Sequence, residues 1–224
     1  MILHLFSHLE TVVVIDFETS GMNPEQGDRA IEIGAVLLCD DEITERFQSL
    51  INPGFLVTRE IESITGINNV MLQDAPSADE VMNELVRFIA HHPLVAHNAS
   101  FDQKFLEAEL LHSGKKRPLN FGCTLQIARR LYPDVINHKL STLVRYKGLQ
   151  INGQFHRALA DAEMAAALWL KMAEDLKKLY GFERIPFELM KKIGKQSKDQ
   201  VESFLLKEAD EARRSQFGTT GSLF

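Results

Sequence analysis

The chain has 224 residues, of which 45% are hydrophobic and 25% are charged, and its formal net charge is −6 at pH 7. These values exclude disordered and collagen-like proteins, and the length suits one domain with an extension or two small domains. With only Cys39 and Cys123, the sequence has neither a disulfide framework nor a zinc-ligand cluster, so a reducing, cytoplasmic setting is expected. It has no secretion signal and no run of roughly 18 apolar residues, so no membrane association is expected.

The first half of the chain predicts a sheet that begins antiparallel. Runs of β-branched and aliphatic residues predict strands over 11–17, 30–39 and 43–51. The link between the second and third strands is short enough for a hairpin, which pairs them antiparallel. A capping box at Ser77–Glu80 then predicts a helix through about residue 90, and a short buried strand over 94–96 follows.

The second half of the chain is predominantly helical by pattern. The predicted helices span 101–112, 124–131, 141–147, 158–180, 187–193 and 200–213. Because a helix precedes and another follows the strand over 94–96, an α/β layer should continue the antiparallel strands. The long helix ends at Gly181, so we predict a compact domain over 1–180 and a C-terminal helical extension and tail over 181–224.

The net charge hides a strong polarity along the chain. Residues 1–110 hold 19 acidic and 5 basic residues, whereas residues 111–160 hold one acidic and nine basic residues. A negative protein is a poor partner for a polyanion, but a basic segment of this kind suits a phosphate backbone. Eight of its residues form a predicted phosphate-binding patch: Lys115, Lys116, Arg117, Arg129, Arg130, Lys139, Arg145 and Lys147. The alternative is that the acidic and basic faces only pair with each other.

The first strand ends in two carboxylates. Side chains alternate across a strand, so Asp16 and Glu18 project from the same face. Such a pair repels unless a cation neutralises it, and sites rich in oxygen ligands select Mg²⁺ or Mn²⁺. An isolated Asp-x-Glu is more often a solvated strand end, but here four aliphatic residues precede the pair and predict a buried central strand.

Two further motifs place an aspartate after a histidine. The first runs from His97 to Asp102, and Asp102 falls in a first helical turn, where the helix dipole favours a carboxylate in any case. The second runs from His156 to Asp161, at the start of an alanine-rich helix. A buried Asp161 would need a cation or several hydrogen-bond donors. A histidine side chain can exchange a proton near neutral pH, so His156 is a candidate general base.

These three motifs, in this order, resemble those of the DEDD exonuclease superfamily, in the histidine-bearing branch that includes the proofreading epsilon subunit of bacterial DNA polymerase III and ribonuclease T. The family's Asp-x-Glu-Thr motif matches Asp16–Thr19, and its other motifs match His97–Asp102 and His156–Asp161. The resemblance covers about residues 11–176. It implies an α/β, ribonuclease-H-like fold: a mixed five-stranded sheet, with three antiparallel strands followed by parallel ones, flanked by helices.

The resemblance also implies an activity, namely metal-dependent 3′→5′ exonuclease cleavage that releases nucleoside 5′-monophosphates. Two divalent cations, Mg²⁺ or Mn²⁺, would be held by Asp16, Glu18, Asp102 and Asp161, and His156 would take the proton of the attacking water. The candidate substrate contacts are Phe17, Thr19, Thr65, His97, Asn98 and Phe101. Of these, Phe17 or Phe101 suits stacking on a terminal base, although each suits the core equally well.

One position departs from the family pattern. Epsilon-like members carry a His-Gly-Ile loop whose histidine lies near the substrate terminus, and here the loop reads Thr65-Gly66-Ile67. We expect activity to survive, because the four carboxylates and His156 are all present. We expect the replacement of this histidine by Thr65 to alter the contacts to the terminal nucleotide.

Three functions remain open from the sequence. The leading hypothesis is a DNA exonuclease that acts on single-stranded or frayed 3′ ends, as a proofreader or as a repair enzyme. An RNA 3′-end-processing exonuclease would use the same chemistry, because the motifs do not read a 2′-hydroxyl. The third is a non-catalytic polymerase-assembly subunit, against which the five intact site residues argue.

The C-terminal region suggests two partners, a DNA polymerase subunit and a sliding clamp. Residues Gly221–Phe224 resemble the Ser-Leu-Phe end of the bacterial clamp-binding peptide, although Thr220 stands where that motif begins with Gln. The apolar stripes of the two helices beyond residue 181 are more often core packing than a partner surface.

Overall fold

The computed structural model describes residues 10–39, 41–116, 118–150 and 156–218, with the side chains of 215–218 excepted. Its centre is a mixed five-stranded sheet of order β3-β2-β1-β4-β5. The strands are β1 Val12–Thr19, β2 Ala30–Cys39, β3 Glu42–Leu50, β4 Leu94–Ala96 and β5 Phe121–Cys123. The first three pair antiparallel, β4 pairs parallel with β1, and β5 pairs parallel with β4. The carboxyl ends of β1 and β4 therefore lie at the same edge of the sheet.

Nine α-helices occur within the described part of the chain. They are α1 Arg59–Thr65, α2 Asn69–Gln73, α3 Ala78–Ile89, α4 Ala99–His112, α5 Thr124–Leu131, α6 Leu140–Tyr146, α7 Ala158–Tyr180, α8 Phe187–Lys195 and α9 Val201–Gly218. The predicted capping box is present at the start of α3, where Ser77 and Glu80 bond each other's backbone N–H. None of these helices is both long and apolar enough to serve as a membrane span.

The alternation of side chains along β1 supplies both faces of the sheet. Val12 and Val14 belong to a core shared with α5, α7, α8 and α9, whereas Val13 and Ile15 belong to a core shared with α3 and α4. All four side chains are buried. A strand covered on both faces reads as a continuous aliphatic run, and this is why the first strand lacks polar alternation before Asp16.

The helices beyond residue 180 pack into the first of these cores. Phe187 on α8 lies against Trp169 on α7, with ring centroids 6.0 Å apart, and both side chains are buried. Leu205 and Ala209 on α9 are buried in the same cluster. The stripes of α8 and α9 are therefore core packing, and the division of the chain near residue 180 stays a prediction.

We predict that Phe187→Ala destabilises the whole protein. Removing a buried aromatic ring costs about 3–5 kcal/mol, because the contacts with Trp169 are lost and a cavity forms. Leu206→Ala on α9 is the control, because Leu206 is half exposed and its removal should change stability by only about 0.5 kcal/mol. Urea unfolding followed by tryptophan fluorescence measures both. Equal stability of Phe187→Ala and the wild type would show that α8 does not support the shared core.

Candidate active site

The two carboxylates of the first motif lie at the carboxyl end of β1. Asp16 and Glu18 are half-buried, whereas Phe17 between them is buried in the opposite core. Across the antiparallel pairing, Asp16 faces Gly34 and Glu18 faces Glu32 on β2. The strand thus presents both carboxylates on one face, as the alternation of side chains predicts.

The second motif is tied to the first through the backbone of β1. Asn98 leads from β4 into α4 in the left-handed conformation (φ 69°), which asparagine adopts more readily than most residues. This turn places Asp102 in the first turn of α4, where it is buried. The backbone N–H of Phe17 donates to Asp102 Oδ1 at 3.1 Å. Asp102 therefore lies beside the Asp16–Glu18 pair.

The third motif reaches the same place from the start of α7. Carboxylate oxygens of Glu18 and Asp161 and a ring nitrogen of His156 lie within 4.8 Å of one another. His156 has a φ of 64°, and its backbone N–H donates to Asp161 Oδ2 at 3.1 Å. The close approach of α7 depends on Gly34, since a Cβ there would lie 2.1 Å from the backbone nitrogen of Leu159.

An ion pair between Arg157 of the third motif and Glu32, which lies outside all three motifs, anchors the third motif. Glu32 is fully buried on β2 and pairs with Arg157, whose Nη2 lies 2.7 Å from Glu32 Oε1. Glu32 Oε2 also accepts from the backbone N–H of Ala158, the first residue of α7. The sequence gives one sign of this pair, because Glu32 stands between two aliphatic residues of a strand that is predicted to be buried. A carboxylate buried there requires a charged partner.

A second buried pair holds α4. Glu109 is 1% exposed, and its carboxylate accepts two hydrogen bonds from the Arg29 guanidinium and one from the backbone N–H of Ala30. These bonds fix the helix that carries Asp102 to the start of β2. Arg29 and Glu109 are 80 residues apart in the chain, so spacing gives no sign of their contact.

The site is strongly electronegative. Burial raises the pKa of Asp16 well above its usual value, and repulsion from Asp102, Asp161 and Glu18 raises it further. Burial and the Asp161 carboxylate raise the pKa of Glu18 to about 7. The pKa values of Asp102 and Asp161 are raised as well, chiefly by burial. Asp161 Oδ1 is buried and has no hydrogen-bond partner. The four carboxylates therefore lack counter-charge, which is the condition a divalent cation would satisfy.

Three of the candidate substrate contacts have their side chains engaged within the protein. The Thr19 hydroxyl donates to the carbonyl of Gly21 at 2.6 Å. Thr65 is buried, and its hydroxyl donates to the carbonyl of Ile61 and accepts from the N–H of Ile67, so it stabilises the end of α1. Phe17 contributes its ring to the core.

The remaining candidates differ in accessibility. His97 uses both ring nitrogens, with Nδ1 2.9 Å from Thr124 Oγ1 and Nε2 2.9 Å from the carbonyl of His138. Asn98 is exposed and Phe101 is half-buried, with its ring 5.0 Å from that of Phe105. Asn98 and Phe101 are thus the candidates whose side chains reach the surface beside Asp102.

The predicted phosphate patch divides in the fold. Lys115 and Lys116 follow the far end of α4, and His112 at that end lies about 15 Å along the helix from Asp102. Arg130 donates to the carbonyl of Gln196, and Lys147 pairs with Asp175 at 2.5 Å. Arg145 is exposed on α6, and Arg117 lies outside the described residues. Arg129 and Lys139 line one cavity together with His97 and Asn98, next to the second motif.

The exonuclease family RNase_T matches residues 13–169, which include all three motifs. The chain belongs to this exonuclease family. The family and the ribonuclease-H-like fold predicted from the motifs are therefore confirmed, and exonucleases of this family use divalent metal ions.

Individual relatives give the same assignment. The chain is 40% identical over 176 residues to the PolC-type DNA polymerase III of Bacillus subtilis. The matched region covers 77% of this chain but only 12% of that relative. It is 35% identical over 172 residues to the DNA polymerase III epsilon subunit of Aquifex aeolicus, covering 76% of this chain and 84% of that protein. The chain thus spans about an eighth of the PolC-type proteins that it matches.

Solved structures share the fold. Exonuclease X in complex with 5′ overhanging duplex DNA superposes with a TM-score of 0.65 and 27% identity, covering 82% of this chain and 99% of that one. Exonuclease I of E. coli in complex with a dT13 oligonucleotide superposes with a TM-score of 0.65 and 16% identity, covering 77% and 43%. The second likeness concerns the fold alone.

We predict that, in a chelator, the protein becomes less stable as the pH rises from about 5 to 8. Folded Glu18 keeps its proton up to about pH 7, whereas an unfolded glutamate releases it near pH 4.3. The folded state therefore binds more protons across this window, and stability must fall with increasing pH. Thermal unfolding with EDTA measures the effect, and Mg²⁺ or Mn²⁺ should reverse it at pH 8.

The variant Asp16→Asn separates this effect from general pH sensitivity. Removing one charge from the cluster should flatten the pH dependence and reduce the stabilisation by metal. Glu84→Gln, which neutralises an exposed carboxylate on α3, should behave as the wild type does. A steep pH dependence that Asp16→Asn leaves unchanged would show that repulsion within the cluster is not its cause.

Proposed function

We propose that the chain is a metal-dependent 3′→5′ exonuclease that hydrolyses DNA from single-stranded or frayed 3′ ends and releases nucleoside 5′-monophosphates. The observation that carries the proposal is the convergence of Asp16, Glu18, Asp102 and Asp161 with His156 at one edge of the sheet. Family membership supports the class of reaction, and the arrangement of charges supports this edge of the sheet as its site.

The four carboxylates are the proposed ligands for two divalent cations, Mg²⁺ or Mn²⁺. The unpartnered Oδ1 of Asp161 and the raised pKa values support a cation here. By resemblance to the family, Glu18 and Asp161 would chiefly hold one ion and Asp102 the other, and Asp16 would contribute to holding both. When bound, such ions lower the pKa of a water and neutralise charge on the phosphate.

His156 is the proposed general base. It is exposed, its ring lies beside Glu18 and Asp161, and its backbone is held by the hydrogen bond to Asp161. The ring can therefore accept the proton of an attacking water and release it to solvent. Arg157 acts as a positioning residue, because its pair with Glu32 fixes the segment that carries both His156 and Asp161.

DNA is the proposed substrate rather than RNA. The two relatives described above, at 40% and 35% identity, are named as DNA polymerase III proteins. The Exonuclease X structure, at 27% identity, contains duplex DNA. Degradation assays on labelled single-stranded DNA, mispaired duplex DNA and RNA, each with Mg²⁺, Mn²⁺ or chelator, test this choice. Faster degradation of RNA than of either DNA would contradict it.

We predict that Asp16→Asn abolishes metal-dependent hydrolysis while the folded structure persists, because the carboxylate that faces both other motifs is lost. We expect His156→Ala to lower kcat by about 10²–10⁴-fold with metal-induced stabilisation retained, since a general base contributes on this scale. Glu84→Gln is the matched control and should retain full activity. Near-normal turnover of either site variant would remove that residue from the mechanism.

Association with a DNA polymerase subunit or a sliding clamp is the remaining part of the proposal. Its clamp-binding candidate, Gly221–Phe224, lies outside the described residues. If this segment binds the clamp, deletion of Leu223 and Phe224 should abolish co-elution with a purified bacterial sliding clamp in size-exclusion chromatography. Co-elution that survives the deletion would exclude these residues as the contact.

A further inference from the structure

A cavity of about 590 Å³ opens beside the second motif, and His97 and Asn98 of that motif are among its lining residues. His97 and Asn98 line it on one side, and Arg129, Asn137, His138 and Lys139 line it on the other. Asn98 is the N-cap of α4, and Asp102 lies in the first turn of that helix, so one wall of the cavity is four residues from Asp102 in the chain. It therefore adjoins the proposed metal site and is distinct from it.

The cavity is positively charged. Arg129 and Lys139 are exposed, and neither forms an ion pair within the described part of the chain. The residues that line the cavity in that part include no carboxylate. Other cations of the segment 111–160, such as Arg130 and Lys147, bond to protein groups instead. Arg129 and Lys139 thus keep their full hydrogen-bonding capacity for an external anion.

The cavity is also rigid at its base. A backbone carbonyl only accepts, so His97 Nε2 carries the proton that is donated to the carbonyl of His138. Burial chiefly, and Arg129 in part, lower the pKa of His97 to about 4, so the ring is neutral and Nδ1 accepts from the Thr124 hydroxyl. His97 in this way joins the end of β4 to α5 and to the loop before α6.

A second brace holds the same loop from behind. His138 Nε2 donates to the carbonyl of Tyr132 at 3.0 Å, and Asn137 Oδ1 accepts from the backbone N–H of Lys139. The backbone position of Lys139 is therefore set before any ligand arrives. A fixed backbone reduces the cost of ordering the loop when an anion binds.

We propose that this cavity binds an internucleotide phosphate of the scissile strand, upstream of the bond that is cut. The proposal rests on the proposed function, because only a nucleic acid in the active site would place a phosphodiester next to Asn98. It assigns His97 a positioning role, in place of the direct substrate contact predicted from the sequence. Under this proposal, Arg129 and Lys139 are the residues of the basic segment that bind phosphate.

The test compares two double variants that remove the same types of charge. Arg129→Ala/Lys139→Ala empties the cavity of cations. The control, Arg184→Ala/Lys178→Ala, removes an exposed arginine and an exposed lysine near the other end of α7, about 25 Å along that helix from Asp161. Each is placed in an Asp16→Asn background, and binding of a 5′-labelled single-stranded DNA is measured by fluorescence anisotropy in Mg²⁺.

We expect Arg129→Ala/Lys139→Ala to raise Kd about tenfold or more. We also expect it to reduce the slope of log K against log salt by about 0.7, the value for one phosphate contact on a single strand. Arg129→Glu/Lys139→Glu should weaken binding further. The Arg184→Ala/Lys178→Ala control should bind as the Asp16→Asn protein does. Unchanged binding by the cavity variants, or an equal loss in the control, would overturn the proposal.

A substrate without an upstream phosphate distinguishes an effect on phosphate binding in the cavity from an effect on the hydrolytic step. Without the Asp16→Asn change, Arg129→Ala/Lys139→Ala should hydrolyse the p-nitrophenyl ester of thymidine 5′-monophosphate as the wild type does, since this ester has no upstream phosphate. Its KM for an oligonucleotide should rise while kcat is kept. An equal loss on both substrates would overturn the proposal. If the wild type hydrolyses neither substrate, the proposed function fails, and the binding measurement still decides on the cavity.

Discussion

Mutual repulsion among four carboxylates is the constraint around which this structure is arranged. Asp16, Glu18, Asp102 and Asp161 come from three elements. Burial raises the pKa of all four, and repulsion from other carboxylates of the cluster raises those of Asp16, Glu18 and Asp102 further. Hydrophobic packing alone would favour a structure in which these groups separate and reach solvent. The elements that carry them must therefore be held together by other contacts.

Two buried ion pairs, neither of which includes a carboxylate of the cluster, provide those contacts. Glu32 and Arg157 fix the start of α7 against β2, and Glu109 and Arg29 fix α4 against the start of the same strand. In each pair the carboxylate is buried and also accepts from a backbone N–H. Breaking a pair of this kind leaves an uncompensated buried charge, so both anchors should resist displacement strongly. The strand β2 thus serves as the common support for two of the three motifs.

The sequence predicts the parts of this arrangement that depend on local pattern. The strand Ala30–Cys39 and the helices Thr124–Leu131 and Ala158–Tyr180 coincide with their predicted spans, because each has a clear period and a distinct end. The short strand β5 and the helices α1 and α2 were not predicted as elements. They have three to seven residues each, and in segments this short tertiary contacts contribute more to the conformation than local propensity does.

The site shows the same division between local and distant information. Spacing places Asp16 beside Glu18 and sets His156 near Asp161, and family resemblance joins the three motifs. The ion pairs link residues 80 and 125 positions apart, and no local pattern encodes them. Likewise, sequence proximity grouped eight cations into one patch, whereas the fold sends Lys115 to the far end of α4 and keeps Arg129 and Lys139 near the site.

The excess of acidic residues in the first 110 positions does not by itself exclude binding of a nucleic acid. Glu32 and Glu109 are neutralised in buried ion pairs, and Asp16, Glu18 and Asp102 belong to the proposed metal site. Five of the acidic residues in that segment therefore do not present an uncompensated negative surface to a nucleic acid when metal is bound. Since surface charges farther away than about 10 Å are largely screened at physiological salt, the local field at the site outweighs the net charge of −6. A polyanionic substrate is consequently compatible with an acidic chain, provided that cations occupy the carboxylate cluster and its approach is lined by side chains such as Arg129 and Lys139.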